Sequence, residues 1–136
     1  MHPVSENLGT DFASNYDRYV SSGDLSGDHA TAYWEIVPFE VAPGVELDTT
    51  STVGPTSSSQ VMCLSCHRAH ASAFMDSGRW DFGADFLDQD SHPQAGDGGV
   101  EGNDVVNSYY GRVFAPNQRS LCNKCHVQDA GTSAHG

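Results

Sequence analysis

Every cysteine in this chain belongs to one of two copies of the same five-residue pattern, Cys-x-x-Cys-His: Cys63-Leu64-Ser65-Cys66-His67 and Cys122-Asn123-Lys124-Cys125-His126. Two thiols separated by two residues share one turn of backbone, where each can form a thioether to a vinyl group of a single porphyrin. The histidine that follows then lies beneath the ring and offers its imidazole to the iron. This is the attachment signal for c-type haem. Two copies predict two haems c, with Cys63, Cys66, Cys122 and Cys125 as attachment residues and His67 and His126 as the first axial ligands.

Other chemistries use paired cysteines, and each leaves something unexplained. A structural zinc ion held by the four thiols would need two Cys-x-x-Cys pairs, but the usual ribbon spacing between such pairs is roughly 15–20 residues. The separation here is much longer. With seven histidines in 136 residues, any one position is His about 5% of the time, so His after both pairs by chance is of order 0.3%. Thiol–disulfide chemistry meets the same objection, and neither pair sits in a βαβ pattern.

Composition points the same way. At 136 residues the chain has the length of one domain, here 1–136. Leu, Ile, Val and Phe together number 25, about 18% of the chain, and the formal net charge is −12. That combination normally leaves a chain disordered, because too little apolar surface is buried to offset the entropy of ordering it. Two porphyrins would supply the missing apolar surface. The acidic balance argues against nucleic acid or an anionic membrane surface as partner. No stretch approaches a membrane span, and MHPVSENLGTDF lacks the basic start and apolar run of a signal peptide, so an exported protein would be met here in its mature form.

Along the chain, residues 11–20 read as a short amphipathic helix. Residues 31–41 are β-branched and aromatic, but Pro38 demotes them to an edge strand or extended segment. Residues 47–60 read as surface loop. Residues 61–77 carry small and apolar residues at helical spacing and stop at Gly78, which predicts the best helix in the chain. A second is predicted over 117–129, capped by Asn117. Between them lies a long irregular loop with eight acids from Asp76 to Asp104. Its DQDSHPQAGDGG stretch lacks the alternating acids and closing Glu of a calcium loop, and reads as solvated. The expected fold is mostly irregular, with short α-helices at the haem motifs, few β-strands and a haem-centred core.

The sixth ligand of each iron decides between electron transfer and small-molecule chemistry. Five histidines remain: His2, His29, His70, His92 and His135. Met75 is the one plausible thioether competitor. Five spare histidines for two irons favour bis-His coordination and low potential. His70 lies three residues after His67, near the same helical face, and cannot reach the far side of the same haem, so its natural target is a neighbouring iron. His29, His92 and His135 sit among Gly and Asp in loops, where a solvated imidazole is the default.

VMCLSCHRAHASAFMDSGRWDF, Tyr109-Tyr110-Gly111-Arg112 and QRSLCNKCHVQDA together resemble the closing portion of multihaem c-type cytochromes with doubled Cys-x-x-Cys-His motifs, found in metal-reducing bacteria. His2-Pro3-Val4-Ser5 is similar to the element that precedes such a segment. The resemblance implies extracellular or periplasmic electron transfer through bis-His haems, with His70 and His2 at distal-ligand positions. It also implies, for some relatives, assembly into filaments of like subunits in which a histidine crosses to a neighbour's haem. Relatives commonly carry four or more haems, where this chain has two motifs. The partners so implied are other copies of the chain, redox partner cytochromes or external acceptors. A soluble diheme shuttle is the alternative within the same class. An enzyme, a diheme peroxidase or small reductase, would need one open iron, which five spare histidines oppose.

Overall fold

A computed structural model of the chain describes residues 5–70 and 72–126; His2 and His135 lie outside the described residues. The first element, α1 (Gly9–Arg18), places Ala13, Asn15 and Tyr16 on a buried face, and sets Asp11 in its first turn and Arg18 in its last, where they complement the helix dipole. It matches the amphipathic stretch expected over 11–20. The chain returns across the end of this helix at Gly27, whose N–H donates to the Arg18 carbonyl at 2.8 Å. A Cβ at Gly27 would stand 2.5 Å from the Asp17 carbonyl oxygen, so only glycine permits that crossing.

Residues 31–41 do not form the extended segment expected. Trp34, Ile36 and Val37 are all buried. A strand would send Ile36 and Val37 to opposite faces. A turn closed by the Val37 N–H on the Trp34 carbonyl (3.1 Å) lets all three enter one core. Among the described residues, β-pairing is confined to isolated bridges. Gln60 joins two of them, to Asn7 and to Glu40, and so pins the end of the expected surface loop immediately before the first cysteine motif.

The helix expected over 61–77 is a single turn, α2 (Cys63–Cys66). His67 has extended backbone and bridges Gly78. Arg68 N–H donates to the Ser77 carbonyl at 2.7 Å and Arg79 N–H to the Cys66 carbonyl at 2.8 Å, so residues 67–78 fold back as a closed loop. The return uses Asp76 and Ser77 in left-handed conformation, φ 56° and 53°. Tertiary pairing to 78–79 therefore outweighs helical spacing.

Of residues 117–129, those after 126 lie outside the described residues. The described part has a 3₁₀ turn, Leu121–Lys124, instead of an α-helix. Asn117 has φ 61° and does not cap it. Arg119 bridges Phe86, and Leu87 N–H donates to the Gln118 carbonyl at 2.7 Å, which draws this stretch out against the long loop. That loop is mostly irregular as expected up to residue 101, broken by one 3₁₀ turn at Asp97–Gly99. A further helix, α3 (Gly102–Ser108), then begins inside the stretch read as loop. Its sequence signal is Glu101-x-x-Asp104: the Asp104 carboxylate accepts from the Glu101 N–H at 2.9 Å.

These pieces close on one aromatic-rich cluster of Tyr16, Tyr19, Trp34, Phe74, Trp80 and Tyr109, joined by Ile36, Val37, Leu87 and Leu121. Large rings let a chain poor in aliphatics bury a core, each contributing about 1.5–3 kcal/mol when fully enclosed. Polar tips are matched within it. Tyr16 Oη donates to the Val37 carbonyl at 2.7 Å and accepts from the Trp34 N–H at 3.1 Å.

Tyr16→Phe leaves both backbone groups buried without that partner. It is expected to lower stability by about 1–3 kcal/mol, read by denaturant unfolding. In the acidic loop, Asp97 is held below its usual 3.8, first by the Gln94 N–H and then by His92. The stability this adds is complete above the ordinary carboxylate range and is lost as pH falls through the lower folded value. A carboxyl NMR titration should place Asp97 below 3.8.

Candidate haem-attachment site

The two Cys-x-x-Cys-His segments take up the same local frame. In the first, His67 N–H donates to the Cys63 carbonyl at 3.0 Å; in the second, His126 N–H donates to the Cys122 carbonyl at 2.9 Å. Each turn leaves its first cysteine exposed, Cys63 and Cys122, and its second half-buried, Cys66 and Cys125. Both half-buried thiols pack against the one aromatic cluster. The motifs, far apart in sequence, are thus brought to the same core.

Burial sets the state of the inner thiols. It pushes Cys66 up to about 11, with Cys122 nearby adding to the rise, and pushes Cys125 up to about 12. Such thiols are protonated at neutral pH and poor nucleophiles, unlike those of a dithiol redox pair. All four cysteines are free. Among the described residues no three His, Cys, Asp or Glu side chains gather as a metal site, which applies both to a four-cysteine zinc centre and to the acidic loop as a calcium site.

The first motif is held mainly by Arg79. Its guanidinium donates to the Leu64 carbonyl, to the His67 carbonyl at 3.2 Å, to the Glu35 carbonyl at 3.1 Å and to Tyr110 Oη at 2.6 Å. His67 Nδ1 lies 2.8 Å from the Asp76 carbonyl, which the left-handed turn at Asp76 presents to it. A carbonyl can only accept, so Nδ1 carries the proton and Nε2 keeps the lone pair that an axial ligand uses. The Phe82 ring stands edge-on to His67 at 5.6 Å, and Trp80 edge-on to Phe82 at 5.2 Å. Gly78 lets this wall close, since a Cβ there would approach the Trp80 carbonyl to 2.7 Å.

The second motif is held against α1. Asn15 Nδ2 donates to the carbonyls of Asn123 and Lys124, both at 3.0 Å. Lys124 Nζ donates back to the carbonyls of Tyr16 at 2.9 Å and Tyr19 at 3.3 Å. Burial pulls the Lys124 ammonium down to about 7, while Cys125 and then Asp17 act in the opposite sense and Arg112 adds to the fall. The Phe12 ring lies edge-on to His126 at 5.3 Å.

The residues present fit covalently attached haem. Each turn offers two thiols and an imidazole in one register, with aromatic edges beside each imidazole. Beside the first motif, Arg68 Nε and Trp80 Nε1 are buried donors without a protein acceptor.

The other histidines are placed as follows. His70 is exposed, and the helix expected to align it with His67 is absent, so the shared-face argument does not hold. His29 and His92 are solvent-exposed as expected, and each also pairs with an aspartate, Asp17 at 2.7 Å and Asp97 at 2.9 Å. Met75 is 85% exposed. Sequence reasoning missed Asn15, Arg79 and Lys124 as supports of the motifs. The lone lysine inside a Cys-x-x-Cys was the available signal.

Two matching Cys-x-x-Cys-His turns on one small aromatic core, in a fold with little regular structure, are the arrangement of a c-type cytochrome, and over nearly its whole length the chain is similar to a multihaem one. It is 38% identical over 151 residues to the C-type cytochrome OmcS of Geobacter sulfurreducens, an alignment covering 94% of this chain and 35% of that protein. Two solved structures are similar. One, described as cryo-EM of the OmcS nanowires from Geobacter sulfurreducens, has a TM-score of 0.70 and 36% identity, over 90% of this chain and 35% of that one. The other, an Outer Membrane Cytochrome S filament from the same organism, has a TM-score of 0.74 and 37% identity, over 94% and 37%. The chain therefore spans about a third of the length of the relatives it matches. A scan against protein-family models found no match. Among the described residues, no helix is long and apolar enough to cross a membrane.

Arg79→Ala removes the donors that hold the Leu64 and His67 carbonyls. It is expected to lower the stability of the haem-loaded protein by about 1–3 kcal/mol, measured by denaturant unfolding followed in the Soret band.

Proposed function

We propose that the chain is an electron-transfer module that carries two haems c, one on Cys63, Cys66 and His67 and the other on Cys122, Cys125 and His126. The observation that carries this reading is the duplicated turn: two attachment frames, each closed by the His N–H on the first cysteine's carbonyl, whose inner cysteines share one core. When bound, the haems supply one-electron chemistry at iron, between ferric and ferrous states. The protein's part is to fix the imidazoles, enclose the inner thioether positions and keep the two attachment turns close, which short electron hops require. His70 and His2 are the proposed distal ligands, making both sites bis-His and leaving no iron open for substrate. The chain would thus be a carrier and not an enzyme.

We further infer that it works outside the cell as part of a cytochrome filament built of like subunits. The support is the likeness to structures described as nanowires and filaments. Redox partners would be other copies, partner cytochromes or external acceptors. A soluble periplasmic diheme shuttle is the alternative that the same attachment chemistry allows.

The purified red protein should contain two haems per chain by pyridine haemochrome assay, and the double variant Cys63→Ala/Cys66→Ala should contain one. Neither ferrous haem should bind carbon monoxide, and His70→Met should change the low-spin spectrum of one haem. Carbon monoxide binding by the unaltered protein would show an open site and favour a diheme peroxidase or reductase. Negative-stain electron microscopy should show filaments; discrete particles at all salt and protein concentrations would favour the shuttle.

A further inference from the structure

Lys124 is the single lysine in a chain of net charge −12, and it is 0% exposed. A buried ammonium is costly unless it is fully hydrogen-bonded or otherwise compensated. Here the compensation is specific. Nζ donates to two carbonyls at the C-terminal end of α1, where the helix dipole is negative. It also lies 3.9 Å from the centre of the Tyr16 ring, 4.5 Å from that of Trp34 and 6.0 Å from that of Tyr19, a three-sided aromatic cage. From the opposite direction, the Asn15 amide donates to the carbonyls of Asn123 and Lys124. Four hydrogen bonds, two each way, thus join α1 to the two residues between Cys122 and Cys125.

The equivalent positions of the first motif do nothing similar. Leu64 is 39% exposed, and the Ser65 hydroxyl accepts only locally, from the Met62 N–H. That motif is gripped from outside by Arg79 instead. Each attachment turn is therefore fixed by one cation, by a different route.

Resting on the two-haem reading above, we propose that Lys124 is the positioning residue of the second haem site: anchored on the end of α1, it sets the orientation of the Cys122–His126 turn and so of the His126 imidazole on its iron. The residues between the thiols take no part in the attachment chemistry, so they are available for this task. Arg79 is the counterpart for the first site. The two haems are then tuned independently, by separate contacts with the protein.

The test uses the full, haem-loaded chain. Lys124→Met keeps side-chain length and bulk but removes the ammonium; Asn15→Ala cuts the other half of the clamp. Haem per chain, the electron paramagnetic resonance signals of the ferric haems and their midpoint potentials are measured for each. Both variants should retain two haems and displace the signal and potential of the same one, leaving the other in place, whereas Arg79→Ala should displace the other. A purely structural lysine would lower the unfolding temperature without moving either potential. Unchanged signals and potentials in Lys124→Met, or displacement of the same haem that Arg79→Ala affects, would overturn the proposal. If Lys124→Met does not accumulate, Asn15→Ala decides on the same criteria. Fewer than two haems in the unaltered protein would overturn the two-haem reading itself, before any variant is compared.

Discussion

The packing of Cys66 and Cys125 against one aromatic cluster is the contact on which the rest of the arrangement depends. Each pair is split, with the first thiol exposed and the second pressed onto the core, so one turn of backbone is both held by the interior and open to the outside. Both turns rest on the same core, and each is tied down by its own cation, Arg79 for the first and Lys124 for the second. Aromatic rings suit this role since they bury large areas with few residues, in a chain where Leu, Ile, Val and Phe number only 25.

With little regular structure, the fold carries its backbone hydrogen bonds in turns and between loops, and adds side chains and cations where distant segments meet. Arg79 reaches three backbone carbonyls, Asn15 two and Lys124 two. Arginine and lysine also stack on the core ring of Trp34, Arg112 at 3.6 Å and Lys124 at 4.5 Å from its centre, and Arg68 lies 4.5 Å from the centre of the exposed Tyr110. Five of the six basic residues in this acidic chain, Arg68, Arg79, Arg112, Arg119 and Lys124, act as ties between distant segments. The acids, by contrast, mostly cap turns in exposed loops, as Asp24, Asp28, Asp48 and Asp97 do.

The cytochrome motifs and the sparse secondary structure were legible in the sequence because they rest on local rules. Thiol and imidazole spacing is a property of five consecutive residues, and a low content of aliphatics does not depend on how the chain folds. The helix over 61–77 was misread because its spacing signal is local while the pairing of His67 with Gly78 is tertiary. The extended reading of 31–41 failed for a related reason: three of its residues had to reach one core, and only a turn delivers them there. Helix α3 was passed over although Glu101 and Asp104 carried its capping signal.

By itself the sequence determined the two Cys-x-x-Cys-His motifs, whose spacing is a property of five consecutive residues, and a composition poor in aliphatics. Only the tertiary structure decided which side chains hold those residues in place. Asn15 lies 108 residues before the Asn123 carbonyl it binds. Arg79 joins its motif to the distant Glu35 and Tyr110. Such ties form between groups whose meeting depends on every turn between them, and no spacing rule along the chain encodes them.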